Sequence, residues 1–227
     1  MTEIHLDAIA ALIERFRGLS EEHRSEKSAA TGAFLTAFQH HLTTATRDRR
    51  FNLLDVTGVR NDEVRHSAIL AWLLTPHGSH GCGVVFLDAF LHAAGIDLPV
   101  EDLAGCRVLT EFPGDESIID IVVYKPGSYI VYIENKTLAA EGIEQVDREL
   151  HDMLRLGEVA RIPRESMFPV FLTPSGRPPI SGDPAPWFRV SYGQLARSFD
   201  AICSQLPEKI AYFVRDLTIQ YRRWSSA

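Results

Sequence analysis

Two apolar segments joined by a short turn limit what this chain can fold into more than any other feature of its sequence. Residues 117–125 read SIIDIVVYK and residues 129–136 read YIVYIENK, with Pro126-Gly127-Ser128 between them. β-Branched and aromatic residues favour strands, and a Pro-Gly pair marks a turn. The pattern therefore predicts a β-hairpin, and the apolar character of both strands predicts that it is buried in a sheet.

The predicted hairpin brings three charged residues together. Asp120 and Glu134 each lie seven residues from Gly127, so they stand opposite each other if the turn is centred there. Directly opposed residues share a face of the sheet, and side chains alternate with a period of two, so Lys136 projects from the same face as Glu134. We therefore expect Asp120, Glu134 and Lys136 to converge.

Opposed carboxylates in an apolar sheet repel each other, and each raises the pKa of the other unless a positive charge lies nearby. Lys136 or a divalent cation can supply this charge, and Mg²⁺ prefers carboxylate and carbonyl oxygens. Lysine suits such a place because its compact ammonium fits beside a cation and a water without filling the pocket. The simpler alternative is an ion pair on a solvated hairpin, which the apolar flanking residues disfavour.

The rest of the sequence alternates helix-forming and strand-forming segments. Helices are predicted in residues 62–78, 84–95 and 141–156 and in two segments after residue 191, and strands in residues 107–112, 169–174 and 188–191. Residues 1–58 are predicted to form an N-terminal helical extension packed on the core. Residues 59–227 are predicted to form one α/β domain, in which a small mixed β-sheet built around the hairpin is flanked by helices.

Composition and motifs exclude several classes of protein. A net charge of -7 argues against non-specific coating of nucleic acid, although a local basic groove is compatible with it. The longest apolar run, residues 68–74, is far shorter than the roughly 20 residues that cross a bilayer. The first residues lack the basic start of a secretory signal, so we expect a cytoplasmic protein without membrane contact. Three widely spaced cysteines, and the lack of a phosphate-binding loop or nucleophile elbow, point away from zinc, nucleotide hydrolysis and acyl transfer.

The charged residues of the hairpin resemble a known motif. Asp120, the turn, and then Glu134-Asn135-Lys136 are similar to the Asp…(Asp/Glu)-x-Lys motif of the PD-(D/E)xK nuclease superfamily. The upstream segment NDEVRHSAILAWLLTPHGSHG resembles the helix before the sheet in one bacterial branch of stand-alone members, and AEGIEQVDREL resembles the helix after the motif. The resemblance spans about residues 60–195, and Ile119 stands where many members have proline.

This resemblance implies a restriction-endonuclease-like core and a Mg²⁺-dependent phosphodiesterase, with Mn²⁺ as a substitute. By analogy, Asp120 and Glu134 bind the metal and the backbone carbonyl of Asn135 supplies a further ligand. Lys136 then positions the attacking water, whose pKa the bound metal lowers.

Two further residues are implied by the same resemblance. Glu63 would support a second metal or hold Lys136, and Gln145 would border the site. Each also has a simpler explanation, since Glu63 suits a helix start and Gln145 suits an exposed position on an amphipathic helix. Glu149 departs from the pattern of those branches that have a tyrosine four residues after the glutamine.

The function expected from these observations is metal-dependent hydrolysis of nucleic acid, of DNA rather than RNA, in defence against foreign DNA or in repair. The alternative is a catalytically silent or partner-gated module of the same fold that binds nucleic acid or protein. A homodimer or a regulatory protein partner would supply such gating.

Overall fold

The computed structural model describes residues 52–59, 62–137 and 141–226 of the chain. Residues 1–51 of the extension predicted over residues 1–58 therefore lie outside the described residues. Residues 52 and 53 contact the last helix, where the Asn52 side-chain amide donates to the Asp216 carbonyl at 3.0 Å. None of the described helices is long and apolar enough to span a membrane.

The described residues contain seven α-helices and five strands in a mixed order. The elements are α1 (Leu53–Val56), α2 (Glu63–Leu74), α3 (Val85–Ala94), α4 (Val100–Leu103), β1 (Arg107–Pro113), β2 (Ile118–Lys125), β3 (Tyr129–Asn135), α5 (Gln145–Val159), β4 (Met167–Thr173), β5 (Phe188–Ser191), α6 (Tyr192–Ile202) and α7 (Glu208–Ser225). Short 3-10 turns precede β4 and follow α6. The strands and helices predicted after residue 62 are all present, and the α/β class is confirmed.

The five strands form one sheet in the order β1-β2-β3-β4-β5. The pairs β1–β2 and β2–β3 are antiparallel, whereas β3–β4 and β4–β5 are parallel, so the predicted mixed sheet is confirmed. The hairpin turns at Gly127, whose φ of 73° is a left-handed conformation that glycine adopts without strain. Ile121 pairs with Ile133, and this register sets Asp120 level with Glu134, as predicted.

Both faces of the sheet are covered, so β3 is buried along its whole length. Ile133 and its neighbours on one face pack in the main core with α2, α3, α6 and α7. On the other face Tyr132 packs in a smaller cluster with Met153 of α5. Because side chains alternate, Glu134 faces the α5 layer and Asn135 faces the main core.

Helix α5 begins at Gln145, four residues after its predicted start. Glu144, directly before it, has a φ of 51°, a left-handed conformation that lies outside an α-helix. Glu141 does not join the helix, because its side chain contacts a loop. The Glu141 carboxylate accepts hydrogen bonds from the backbone N–H groups of Ile180 (2.8 Å) and Ser181 (2.9 Å). Glu141 thus ties the loop between β4 and β5 to the entrance of α5.

Candidate active site

The three charged residues predicted from the hairpin meet at the carboxyl end of β3. The Lys136 ammonium Nζ lies 2.6 Å from Glu134 Oε1. Asp120 Oδ2 accepts the backbone N–H of Asn135 at 2.8 Å, which fixes Asp120 across the end of the hairpin. The Glu134 side chain is 2% exposed and that of Lys136 is 12% exposed, so this is a buried ion pair and not one on a solvated hairpin.

Glu63 reaches the same place from the first turn of α2. Its Oε1 lies 3.7 Å from Lys136 Nζ, and its Oε2 accepts the backbone N–H (2.9 Å) and hydroxyl (3.0 Å) of Thr137. Glu63 therefore does more than complement the dipole of its helix, because it joins α2 to the residues that follow β3. The structure brings Glu63 and Lys136 together, which agrees with the sequence-based interpretation that Glu63 holds Lys136.

Gln145 opens α5 and lies against Glu134. Its side-chain amide Nε2 donates to Glu134 Oε1 at 2.6 Å and also to Glu149 Oε1 at 2.7 Å. Glu149, one turn further along the helix, is 1% exposed. Gln145 therefore contacts two buried carboxylates, and Glu149 is a neighbour of Glu134 that the sequence did not predict. The signal was its spacing of four from Gln145, which places both on one helix face.

The side chain of Asn135 points away from Glu134, into the main core. Its amide Nδ2 donates to Ser67 Oγ at 2.8 Å, and the Tyr192 hydroxyl donates to its Oδ1. These contacts hold the backbone of Asn135 in place, and they leave its backbone carbonyl as the group that can serve the site. Ser67 and Tyr192 were not predicted as supports.

Asp120, Glu134 and Glu149 have strongly perturbed pKa values. Burial, and then the charge of Glu134, raise the pKa of Asp120 to about 7. Burial, and then the charge of Glu149, raise the pKa of Glu134 to about 8, and burial raises the pKa of Glu149 to about 7. For Lys136 burial opposes the charged form, but the neighbouring carboxylates, Glu134 first, outweigh it and raise the pKa. Lys136 is thus positively charged, but its single charge does not balance the carboxylates of Asp120, Glu134 and Glu149.

We call Asp120, Glu134, Glu149 and Glu63 the carboxylate cluster. Within the described ranges, no three His, Cys, Asp or Glu side chains are arranged to hold a metal ion unaided. The chemistry of the donors nevertheless fits a hard divalent cation, which takes carboxylate and carbonyl oxygens and keeps several waters. Among the described residues, Glu134 Oε2 is buried and has no hydrogen-bond partner. A cation bound beside Glu134 Oε2 would satisfy this oxygen and would lower the raised pKa values of the neighbouring acids.

The mixed sheet, the central hairpin and the Asp…Glu-x-Lys residues at its end define a protein with a restriction-endonuclease-like fold. A model of the PD-(D/E)XK nuclease superfamily matches residues 51–211, and the chain belongs to this family. The match confirms the resemblance noted in the sequence and extends it to α1 and the start of α7. Comparisons with curated proteins and with solved structures found no significant match.

Proposed function

We propose that this protein is a divalent-metal-dependent nuclease that hydrolyses phosphodiester bonds of DNA, with Mg²⁺ as its metal and Mn²⁺ as a substitute. The observation that carries the proposal is the buried pair of Lys136 and Glu134 beside Asp120, at the carboxyl end of β3. Charged residues are costly to bury, so their assembly here points to chemistry and not to stability.

Asp120, Glu134 and the backbone carbonyl of Asn135 would hold the cation. When bound, a divalent cation supplies charge that polarises a scissile phosphate and makes a nearby water more acidic. Lys136 supplies a fixed ammonium that orients the attacking water and stabilises charge on the phosphate oxygens. Its direction is set by Glu134 and Glu63, which lie on two different elements.

Gln145 acts by holding Glu134. Its amide donates to Glu134 Oε1, the oxygen that also faces Lys136, and so leaves Oε2 for the cation. The complete set of residues favours an active nuclease over a silent module, because a silent copy has no need to keep Lys136 charged in a buried place. A cytoplasmic role in defence against foreign DNA or in repair accords with hydrolysis of DNA, and gating by a homodimer or a regulatory protein is compatible with the same site.

The test is cleavage of circular plasmid, linear duplex, single-stranded DNA and RNA with Mg²⁺, with Mn²⁺ and with a chelator. We expect metal-dependent cleavage of DNA by the wild type, and a loss of about 100-fold or more in Lys136→Ala. Lys209→Ala is the matched control, because Lys209 is exposed on α7 and should leave the rate unchanged.

Three other results would change the proposal. If no variant cuts but metal raises the melting temperature of the wild type, activity is gated by a partner. If the wild type neither cuts nor responds to metal, the catalytic proposal fails and a binding module remains. Cleavage of RNA alone would overturn the substrate class.

A further inference from the structure

We propose that Glu149 and Glu134 together bind a divalent cation at this site. This inference rests on the proposed function and deepens it, because it assigns to the cation a carboxylate from α5 beside one from the hairpin. It makes Glu149 part of the metal centre and not a residue of the helix core.

The geometry of Gln145 brings the two carboxylates together. One amide nitrogen, Nε2, donates to Oε1 of Glu134 and to Oε1 of Glu149 at 2.6 and 2.7 Å. The two accepting oxygens therefore lie no further apart than two short hydrogen bonds allow. An amide NH₂ group has two hydrogens, so both are used in holding this pair.

The remaining oxygen of each carboxylate is unsatisfied. Glu134 Oε2 and Glu149 Oε2 are both fully buried, and neither has a hydrogen-bond partner in the described part of the chain. The side chains of Glu134 and Glu149 are 2% and 1% exposed, so bulk water does not reach these oxygens to take the place of a hydrogen-bond partner. A buried carboxylate oxygen without a partner is strongly unfavourable, so two of them, on side chains held by the same Gln145 amide, indicate a further group that satisfies both.

The charge balance favours a cation as that group. The described neighbours of the carboxylate cluster supply one ammonium, Lys136, which contacts Glu134 and Glu63 but not Glu149 within ion-pair distance. Gln145 is neutral. A divalent cation between Glu134 and Glu149 would offset both charges at once and would satisfy both free oxygens, and carboxylates are the ligands that such cations take.

The experiment is Mn²⁺ binding by isothermal titration, together with electron paramagnetic resonance of the free Mn²⁺, at a pH where the wild type is folded. Glu149→Gln is the informative variant, because its amide oxygen can still accept from Gln145 while the charge is lost. Glu158→Gln is the matched control on the exposed face of the same helix. Asp120→Asn tests the metal site of the proposed function independently.

We expect Glu149→Gln to weaken Mn²⁺ binding by about tenfold or more, or to remove one ion from the stoichiometry, whereas Glu158→Gln binds as the wild type does. If Glu149→Gln binds Mn²⁺ like the wild type and melts at a higher temperature without metal, the two carboxylates share a proton and the inference is wrong. Should Glu149→Gln fail to fold by circular dichroism, Glu149→Asp replaces it. Wild-type affinity in Glu149→Asp, whose carboxylate is withdrawn by one methylene, would equally overturn direct binding.

The variants separate this inference from the proposed function. Loss of Mn²⁺ binding in Asp120→Asn with full binding in Glu149→Gln would leave the nuclease site intact and refute the role of Glu149. A wild type that binds no Mn²⁺ would refute both.

Discussion

The metal-free protein should lose stability as the pH rises from about 5 to about 8, and Glu134, whose pKa is raised most, makes the largest single contribution. Its pKa is raised from 4.5 to about 8 in the folded protein, by burial first and then by Glu149. Between those two values the folded state holds a proton that the unfolded state has released. The free energy of unfolding therefore falls as pH rises through this window, which is the reverse of the behaviour of a salt-bridged carboxylate.

The size of the effect follows from the shift. Each pKa unit corresponds to about 1.4 kcal/mol, so Glu134 alone accounts for a loss on the order of 5 kcal/mol across the window. Asp120 and Glu149, both raised to about 7, act in the same direction. A loss of this size is a large part of the stability of an ordinary domain, so it should be plain in a denaturation experiment.

The assay is urea denaturation at a series of pH values in the presence of a chelator, followed by tryptophan fluorescence. The wild-type midpoint should fall steadily with pH, and Glu134→Gln, which is neutral and nearly isosteric, should reduce this dependence but not abolish it, because Asp120 and Glu149 still titrate. Glu158→Gln should keep the wild-type slope. Stability that is constant or rises through the window, or a Glu134→Gln variant with an unchanged slope, would refute the reasoning.

Metal should oppose this loss of stability at high pH. A cation favours ionised carboxylates, so it binds more tightly as pH rises and releases protons when it binds. At a concentration of 100 times the Kd it should add about 2.7 kcal/mol of stability. An equal gain in melting temperature at low and high pH would show that Asp120 and Glu134 are not the groups that bind it.

Three further substitutions test the supports of the site by urea denaturation. Tyr192→Phe removes the hydroxyl that donates to Asn135 Oδ1 and should cost about 1–3 kcal/mol, because a buried acceptor loses its partner; no loss would mean that this bond is not important. Glu63→Ala leaves the Thr137 N–H without its acceptor and should cost about 1 kcal/mol while lowering DNA cleavage, and unchanged cleavage would remove Glu63 from the site. Asp152→Ala removes the carboxylate that accepts two backbone N–H groups of the β1–β2 turn and should cost about 2 kcal/mol or more without changing Mn²⁺ affinity, whereas altered affinity would connect the turn to the metal site.

The hairpin and its register could be predicted from sequence because both depend on local rules. A turn centred on Gly127 fixes which residues oppose each other, and alternation fixes the face, so the meeting of Asp120, Glu134 and Lys136 follows without knowledge of the rest of the fold. The same rules place Asn135 on the opposite face. They do not say what it meets there, and its partner Tyr192 lies 57 residues away in sequence.

Glu149 shows where sequence reasoning stops. Its helix periodicity places it on the same face as Gln145, but whether that face is turned toward the sheet depends on how α5 packs over β3 and β4. The start of α5 was predicted four residues early for a related reason, since Glu141 binds the loop near Ile180 and not the helix. Both features are set by contacts between distant segments, which no local pattern encodes.

The rest of the domain supplies stability that does not depend on the carboxylate cluster. Strand β3 is buried from Tyr129 to Asn135, and its neighbours on both faces supply apolar contacts that are independent of pH. Lys136 offsets part of the charge of Glu134, and Gln145 satisfies one oxygen of each of two acids. Two of the acids, Glu134 and Glu149, each keep one oxygen without a partner in the described part of the chain, so under the proposed function a cation bound there would stabilise the protein at the place where it acts. Stability and activity are therefore expected to respond to the same metal titration.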